Sequence, residues 1–250
     1  MRMRKPALLM VLALTAVSGA LAAEESGEGG ASFQSWHADT EVENLASLQR
    51  GARNFIGYCL GCHSLKYERY SRMAQDLQIP QAQFDKLLLP PGEKDTDYIL
   101  TTLPVEDAQS WFGKAPPDLS LMARARGKDY LYQFLKTFYV DSSRPTGVNN
   151  LRLPTTAMPH VLSELEGLKQ AVFKTEGDKK VFDRFETLAP GHLTPAEYDS
   201  FVRDTVNFLD YVSEPTQAQR RALGVWVVLF LLAFTWLAWL LKKEYWKDVR

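Results

Sequence analysis

Two strongly apolar runs lie near the ends of the chain, and a mixed pattern of apolar and polar residues lies between them. The first run covers residues 7–17, follows three cations and ends in small residues, which is typical of a secretory signal. Its eleven residues are too few to span a bilayer, which needs about 20. We therefore expect residues 1–22 to be a cleaved signal peptide rather than an anchor, with the mature chain beginning near Ala23.

The second run, residues 222–241, contains twenty residues without a charge. This length matches the hydrocarbon core of a bilayer, and aromatic residues gather toward both ends of the run, as they do at membrane interfaces. A buried helix of a soluble protein would show a polar face, which this run lacks. Because more cations follow the run than precede it, we expect a transmembrane anchor with residues 242–250 as a cytoplasmic tail. Residues 23–221 then form one exported domain.

Helical periodicity recurs within the exported domain. Apolar residues at helical spacing predict four helices: 43–58, Asp118 or Ser120 to Gly127, 129–140, and one from the capping box Thr194-Pro195-Ala196-Glu197 to Val212. Residues 70–115 and 141–193 hold most of the prolines and show few periodic runs, so we expect loops there. The predicted fold is therefore mainly α, with long loop insertions and one C-terminal transmembrane helix.

Composition and charge limit the class of protein and the kinds of partner that we expect. With 46% hydrophobic residues, 24% charged residues and two cysteines, the chain is neither disordered nor disulfide-dense. Its net charge of −1 gives no reason to expect a nucleic-acid partner. The cations are concentrated at the chain ends, so that residues 23–221 hold 22 basic and 28 acidic side chains, a net charge of −6. That charge suits a cationic partner, and a merely solvated surface explains it equally well.

Both cysteines lie in the motif CLGCH at residues 59–63. A redox dithiol would need a βαβ context, and a zinc site would need more ligands than the single His160 that follows within a hundred residues. A structural disulfide is a further alternative. C-x-x-C-H is typical of covalent haem attachment, in which each thiol adds to one vinyl group and the histidine binds the iron. We therefore expect Cys59 and Cys62 to carry one haem c, with His63 as an axial ligand.

The second axial ligand must come from elsewhere in the domain. The candidates are the remaining methionines and histidines: Met73, Met122, Met158, His37, His160 and His192. Met73 follows His63 by only ten residues, too few to reach the opposite face of the porphyrin without an unusual loop. The spacing around Met122 favours a core position, and His37 and His192 have the sequence context of surface residues.

Met158 has the sequence context of a thioether ligand. It lies 95 residues after His63 in an irregular stretch between Pro154 and Pro159. A rigid loop can carry a sulfur atom to the iron without relying on a helix face, and a proline next to the ligand stiffens the backbone. We expect Met158 to be the sixth ligand, with His160 and a core role for Met158 as the alternatives.

The order of these features resembles the cytochrome c1 family. The matching segments are RGARNFIGYCLGCHSLKYERY, KAPPDLSLMARARGKDYLYQFL, TTAMPHVL and YVSEPTQAQRRALG, the last of which leads into the anchor. The resemblance covers essentially the whole mature chain, and PPDLS followed by RAR is far more specific than the haem motif alone. It implies a cytochrome c-type helical haem domain with His63 and Met158 as axial ligands. It also implies a haem lining made by Pro116, Pro117, Arg126 and Tyr130, with Arg126 as the propionate partner.

The resemblance also implies a role in the quinol:cytochrome c oxidoreductase, the bc1 complex. This chain would lie beside cytochrome b and the Rieske iron–sulfur protein in a dimeric complex of a bacterial-type inner membrane. Its haem domain would face the periplasm and pass one electron from the Rieske cluster to a soluble or tethered cytochrome c, contributing to proton-motive force. With both axial positions filled, it would be a redox subunit rather than an enzyme on its own. A tethered haem peroxidase and a carrier for another oxidase are the rival functions.

Overall fold

The structure is a computed structural model that describes residues 33–176 and 179–248. The expected signal peptide lies outside the described residues. After a 3-10 turn at Phe33–Ser35, the helices are α1 (Leu45–Tyr58), α2 (Tyr70–Asp76), α3 (Gln81–Leu87), α4 (Val105–Phe112), α5 (Met122–Arg126), α6 (Lys128–Lys136), α7 (Ser163–Glu166), α8 (Pro195–Ser213) and α9 (Gln217–Tyr245). The strands are β1 (Leu65–Arg69), β2 (Tyr98–Ile99), β3 (Phe138–Val140), β4 (Val148–Asn150), β5 (Gly167–Glu176) and β6 (Lys179–Pro190). They pair as three antiparallel two-stranded sheets, β1–β2, β3–β4 and β5–β6.

The core of the expected exported domain forms where α1 crosses α8. Gly51 permits the close approach, because a Cβ atom there would lie 2.1 Å from the carbonyl oxygen of Asp204. Next to this contact, the rings of Phe55 and Phe208 pack with their centroids 5.9 Å apart. α8 begins with the predicted capping box, in which Thr194 accepts from the backbone N–H three residues on. The predicted first and last helices of the domain are therefore confirmed and form its centre.

A polar network lies beside the same crossing. The carboxylate of Asp204 accepts from Ser47 Oγ at 2.6 Å and from Arg50 at 2.6 and 2.8 Å. Asn54 on α1 donates to the hydroxyl of Thr205 on α8 at 3.1 Å. Because these groups satisfy one another, the two helices are held in a single register as well as in contact.

The predicted helix over residues 129–140 is wrong at its C-terminal end. α6 ends at Lys136, and the next residues form β3, which pairs with β4. The sequence Phe138-Tyr139-Val140 is aromatic and β-branched, and it finds a partner strand ten residues later. The shorter α5 stops at Gly127, which has a φ of 93°, so the predicted C-terminal end of that helix is confirmed.

The stretches expected to be loops contain regular structure of their own. Residues 70–115 form α2, α3 and α4, each too short to show a sustained period. Residues 167–176 and 179–190 form the long β5–β6 ribbon, whose register shifts twice. Such shifts break strict alternation of apolar and polar residues, which explains why the pattern did not reveal the strands. The mainly α class still holds, since α1, α8 and α9 are by far the longest helices.

α9 contains the predicted anchor. It is 29 residues long, extends beyond the apolar run at both ends and contains no buried residue. In the part of the chain that the structure describes, it is the one helix long and apolar enough to cross a membrane. An apolar helix without buried residues is unstable in water, which indicates that lipid or other membrane helices surround it.

The Asp199 carboxylate on α8 gives the fold a defined acid sensitivity. Burial alone would raise the pKa of Asp199, but hydrogen bonds from Lys136, Tyr132 and Arg203 outweigh burial and lower the pKa to about 2. Since the folded-state pKa is depressed, the carboxylate stabilises the fold above the unfolded pKa near 4 and loses that contribution as pH falls toward 2.

We expect Asp199→Asn to remove this part of the acid dependence. Chemical unfolding of the full chain in detergent at pH 7 and at pH 3 tests it. The variant should be less stable than the parent at pH 7, and the difference should shrink at pH 3. Asp85→Asn, at an exposed carboxylate of α3, is the matched control. An equal loss for Asp199→Asn at both pH values would contradict the assignment.

Candidate haem-binding site

The attachment motif forms a continuous turn at the end of α1. The backbone N–H of Cys59 donates to the Phe55 carbonyl at 2.8 Å, which continues the helical pattern. The N–H groups of Cys62 and His63 both donate to the Cys59 carbonyl, at 3.0 and 2.8 Å. One turn of chain therefore presents both sulfur atoms, and the histidine follows immediately. Both cysteines are free thiols, which fits the two thioether bonds that haem c needs.

The surroundings of Cys59 disfavour a thiolate. Burial raises its pKa to about 12, and the neighbouring Cys62 adds to the effect. An environment that disfavours a thiolate suits an uncharged thioether sulfur and does not suit a redox dithiol, which needs a thiolate as its nucleophile. Among the described residues, no group of three or more His, Cys, Asp or Glu side chains could hold a metal ion. The zinc alternative therefore has no donor set there.

His63 is fixed by one hydrogen bond. Its Nδ1 atom lies 2.7 Å from the carbonyl oxygen of Pro117, to which it donates. Burial lowers the pKa of His63, so the ring is neutral, and with the proton on Nδ1 the lone pair remains on Nε2. An oriented neutral imidazole with a free Nε2 is the form that binds iron, and the backbone acceptor fixes its tautomer.

Pro117 is held in place by the segment that follows it. The carboxylate of Asp118 accepts from the backbone N–H of Lys66 at 2.9 Å, and Leu119 donates to the Ser64 carbonyl at 2.9 Å. These two bonds tie the PPDLS segment to the chain just after the attachment motif. The role that the structure gives Pro117 is thus to position His63 through its carbonyl oxygen, a contact that sequence reasoning did not identify.

Tyr130 on α6 lies near Arg126, another residue of the predicted haem lining. Its ring stacks in parallel on Phe134, with the centroids 6.4 Å apart. The guanidinium carbon of Arg126 lies 5.7 Å from the centroid of the Tyr130 ring, and that of Arg152 lies 4.7 Å from it. Arg152 was missed by sequence reasoning. The one available signal was a cation between two leucines, six residues before Met158.

The loop that carries Met158 is pinned by two asparagines. Asn150 Oδ1 accepts from the backbone of Arg152 and of the next residue, at 2.8 and 3.0 Å, and Asn149 Oδ1 accepts from Thr155 at 2.9 Å. Met158 itself is half-buried, and its N–H donates to a threonine hydroxyl at 3.3 Å. This is the rigid irregular loop that the two flanking prolines predict. The assignment of Met158 to the iron stays a prediction.

The alternative ligand His160 is engaged elsewhere. Its buried ring stacks on Phe138, with centroids 4.9 Å apart and planes 3° apart, and its Nε2 lies 2.9 Å from a carboxylate oxygen of Glu166. To bind the iron, His160 would have to give up both contacts. The other candidates have ordinary environments: Met73 fully buried in α2, Met122 against the core, His37 beside Asp129, and His192 exposed.

Comparison with known proteins decides the family. Residues 90–249 match the model of the Cytochrome C1 family, a range that contains the PPDLS segment, Met158 and the anchor. The chain is 46% identical over 224 residues to cytochrome c1 of Allochromatium vinosum, which covers 88% of this chain and 91% of that protein. The chain belongs to the cytochrome c1 family. Members of this family carry one covalently bound haem c, and haem c is the cofactor of this chain.

Two further relatives bear different names. The chain is 43% identical over 203 residues to a protein of Nitrosomonas europaea named ammonia monooxygenase gamma subunit, covering 81% of this chain and 83% of that protein. It is 25% identical over 240 residues to a protein of Bradyrhizobium diazoefficiens named cytochrome b/c1, covering 81% of this chain but 33% of that protein. The name of the second relative joins cytochrome c1 to cytochrome b.

A cavity lies next to the attachment motif of this cytochrome c1 chain but does not contain the predicted haem residues. A cavity of about 720 Å³ opens on the Leu60 and Gly61 side of the motif, against residues 85–93. None of the predicted haem residues lines it. The two thiols, the oriented His63 and the arginines around Tyr130 therefore stay the candidate haem site.

Proposed function

We propose that the chain is the electron-transfer subunit of a quinol:cytochrome c oxidoreductase, the bc1 complex. It accepts one electron at a time from a Rieske iron–sulfur protein and passes it to a cytochrome c. Haem c supplies a one-electron Fe(III)/Fe(II) couple, and the protein sets its ligands, orientation and potential. The observation that carries the proposal is the attachment turn, in which two free thiols precede a neutral His63 held through Nδ1 by Pro117.

An axial pair of His63 and Met158 suits electron transfer rather than catalysis at the iron. The thioether sulfur favours reduced iron, so the haem can accept from a high-potential donor. With both axial positions filled, no open coordination site remains for a substrate. The chain is then a redox subunit and not an enzyme on its own. Carbon monoxide binding to the reduced full-length protein would instead indicate the rival peroxidase-type function.

The charges flanking α9 support a periplasmic haem domain. Arg220 lies 2.8 Å from a carboxylate oxygen of Glu214, and Arg221 lies 3.7 Å from one of Glu43, so both cations before the span are paired with acids of the haem domain. Residues 242–250 hold four cations, against the two that precede the span. The excess on the C-terminal side matches a positive cytoplasmic side. A bacterial-type inner membrane is the proposed location.

The proposed partners follow from the anchor and the domain charge. The exposed apolar face of α9 suits packing against cytochrome b, and a relative named cytochrome b/c1 supports that partner. The Rieske protein is the donor, a soluble or tethered cytochrome c is the acceptor, and the complex is dimeric. The net charge of −6 over residues 23–221 suits a cationic acceptor.

Purification of the intact complex tests this function. An affinity tag after Arg250 should recover, from mild detergent, a cytochrome b and an iron–sulfur subunit together with this chain. A reduced-minus-oxidised spectrum of that material should show haem b and haem c bands in one preparation. Recovery of an ammonia-oxidising assembly, or of a terminal oxidase without cytochrome b, would contradict the proposal.

A further inference from the structure

Two arginines of the haem site converge on a single tyrosine ring. The Cζ atoms of Arg152 and Arg126 lie 4.7 and 5.7 Å from the centroid of Tyr130. The two guanidinium groups are therefore at most about 10 Å apart. Two cations this close repel each other, and the face of one aromatic ring offsets only part of that repulsion and of their desolvation. The arrangement lacks an anion.

The part of the chain that the structure describes does not supply that anion. Among the described residues, no carboxylate forms an ion pair with Arg126 or Arg152, and no other side chain accepts a hydrogen bond from either guanidinium group. The Nε atom of Arg152 is buried without a hydrogen-bond partner. A buried donor left unpaired is costly, which makes an acceptor from the cofactor the physical expectation.

The backbone places Arg152 firmly at this position. Its N–H donates to Asn150 Oδ1 at 2.8 Å, and Asn150 is fully buried. The amide of Asn150 in turn donates to the Phe134 carbonyl on α6 at 2.8 Å, on the helix that carries Tyr130. The loop start and the helix are thus joined by a buried side chain, and the guanidinium group of Arg152 is held over the ring rather than free in solvent.

We propose that Arg152 binds a propionate of haem c and acts beside Arg126 as a second propionate residue. Haem c brings two carboxylates, and a guanidinium group is the side chain best suited to bind a carboxylate through two hydrogen bonds. The resemblance to the family accounts for Arg126 and not for Arg152. The proposal rests on haem attachment at residues 59–63 and is independent of the electron donor and acceptor.

The positive charge of the Arg152 guanidinium group raises the reduction potential of the haem. Oxidation leaves the iron site one positive charge richer, and a nearby fixed cation disfavours that state. A propionate paired with Arg152 also stabilises ferric iron less than an unpaired propionate does, because the arginine neutralises the negative charge of the propionate. Removing the guanidinium charge therefore shifts the equilibrium toward the oxidised haem.

The test is a redox titration of haem c in membranes that contain the full-length chain. Arg152→Gln should keep the covalent haem and the same axial-ligand spectrum but lower the equilibrium constant for reduction about tenfold, which for one electron corresponds to about 59 mV. Arg152→Lys keeps the charge and should stay within threefold of the parent. If Arg152→Gln yields no haem-loaded protein, the potential of Arg152→Lys tests the proposal instead. A parental potential in Arg152→Lys supports the proposal, and a tenfold fall in its equilibrium constant for reduction contradicts it.

Arg144→Gln is the matched control. Arg144 also has a buried Nε without a partner and also lies near the loop, but its Nη2 donates to the Thr155 carbonyl at 3.3 Å and it has no contact with Tyr130. Its replacement should leave the potential unchanged. A parental potential in Arg152→Gln, or an equal fall in Arg144→Gln, would overturn the proposal while leaving haem attachment and subunit assembly untouched.

Discussion

Met158→Leu will leave the haem attached to the protein but lower its reduction potential enough to stop turnover. Cys59 and Cys62 are unchanged, so the thioether bonds form. With Met158 as the proposed sixth ligand, the iron loses the thioether sulfur that favours its reduced state, and electron arrival from a high-potential donor becomes unfavourable. A fall of about 120 mV would reduce the equilibrium constant for that step about a hundredfold. Turnover should collapse with the potential.

Redox titration and visible spectroscopy of membranes carrying the variant provide the measurement. Met122→Leu is the matched control, because it makes the same change of side chain at a methionine that packs against the core. It should keep the parental spectrum and potential. If His160 replaced the lost ligand, its ring would have to leave Phe138 and Glu166, and a bis-histidine spectrum with a low potential would appear. A methionine-ligated spectrum in Met158→Leu would show that another residue is the ligand.

Gly51→Ala will prevent the α1–α8 crossing from forming as it does in the parent. A Cβ atom there would lie 2.1 Å from the Asp204 carbonyl oxygen and 2.6 Å from the Cβ atom of Phe208. The nearest atom belongs to the backbone, so no side-chain rotation relieves the clash and the helices must move apart. We expect a loss of at least about 3 kcal/mol in unfolding free energy, the upper range for an overpacked core.

Gly57→Ala is the control for this prediction, because it lies in the same helix with nothing within 4 Å of its added Cβ atom. It should stabilise the chain by about 0.5–1 kcal/mol through helix propensity alone. Denaturant unfolding of the full chain in detergent, followed by haem absorbance, measures both variants. Equal stability of the two alanine variants would contradict the tight crossing described here.

The sequence predicts those parts of the molecule that depend on local signals. The capping box at Thr194 needs only two neighbouring side chains and the backbone between them, and the CLGCH motif concentrates its chemistry in five residues. The anchor depends on length and hydropathy. Each of these signals is complete within a short segment, so no knowledge of the tertiary fold is needed to find it.

The missed features depend on contacts between distant segments. The carbonyl of Pro117 reaches His63 across 54 residues, and a carbonyl group has no sequence signature at all. Arg152 looks like a surface cation until the buried Asn150 joins its loop to α6. The sequence pattern did not predict the β5–β6 ribbon, because two shifts in its register interrupt the alternation of apolar and polar residues. The end of α6 shows the same effect, since pairing with β4 overrides the helical spacing that continues through Phe138.

We propose that electrons from quinol reach the haem of this chain through an iron–sulfur protein and leave to a cytochrome c. The test is rapid mixing of quinol with membranes that hold the intact complex, followed at the haem c absorption band. We expect one-electron reduction of the haem, reoxidation on addition of ferric cytochrome c, and loss of the reduction in membranes that lack the iron–sulfur subunit. Reduction at an unchanged rate without that subunit, or a haem that cytochrome c does not reoxidise, would contradict it.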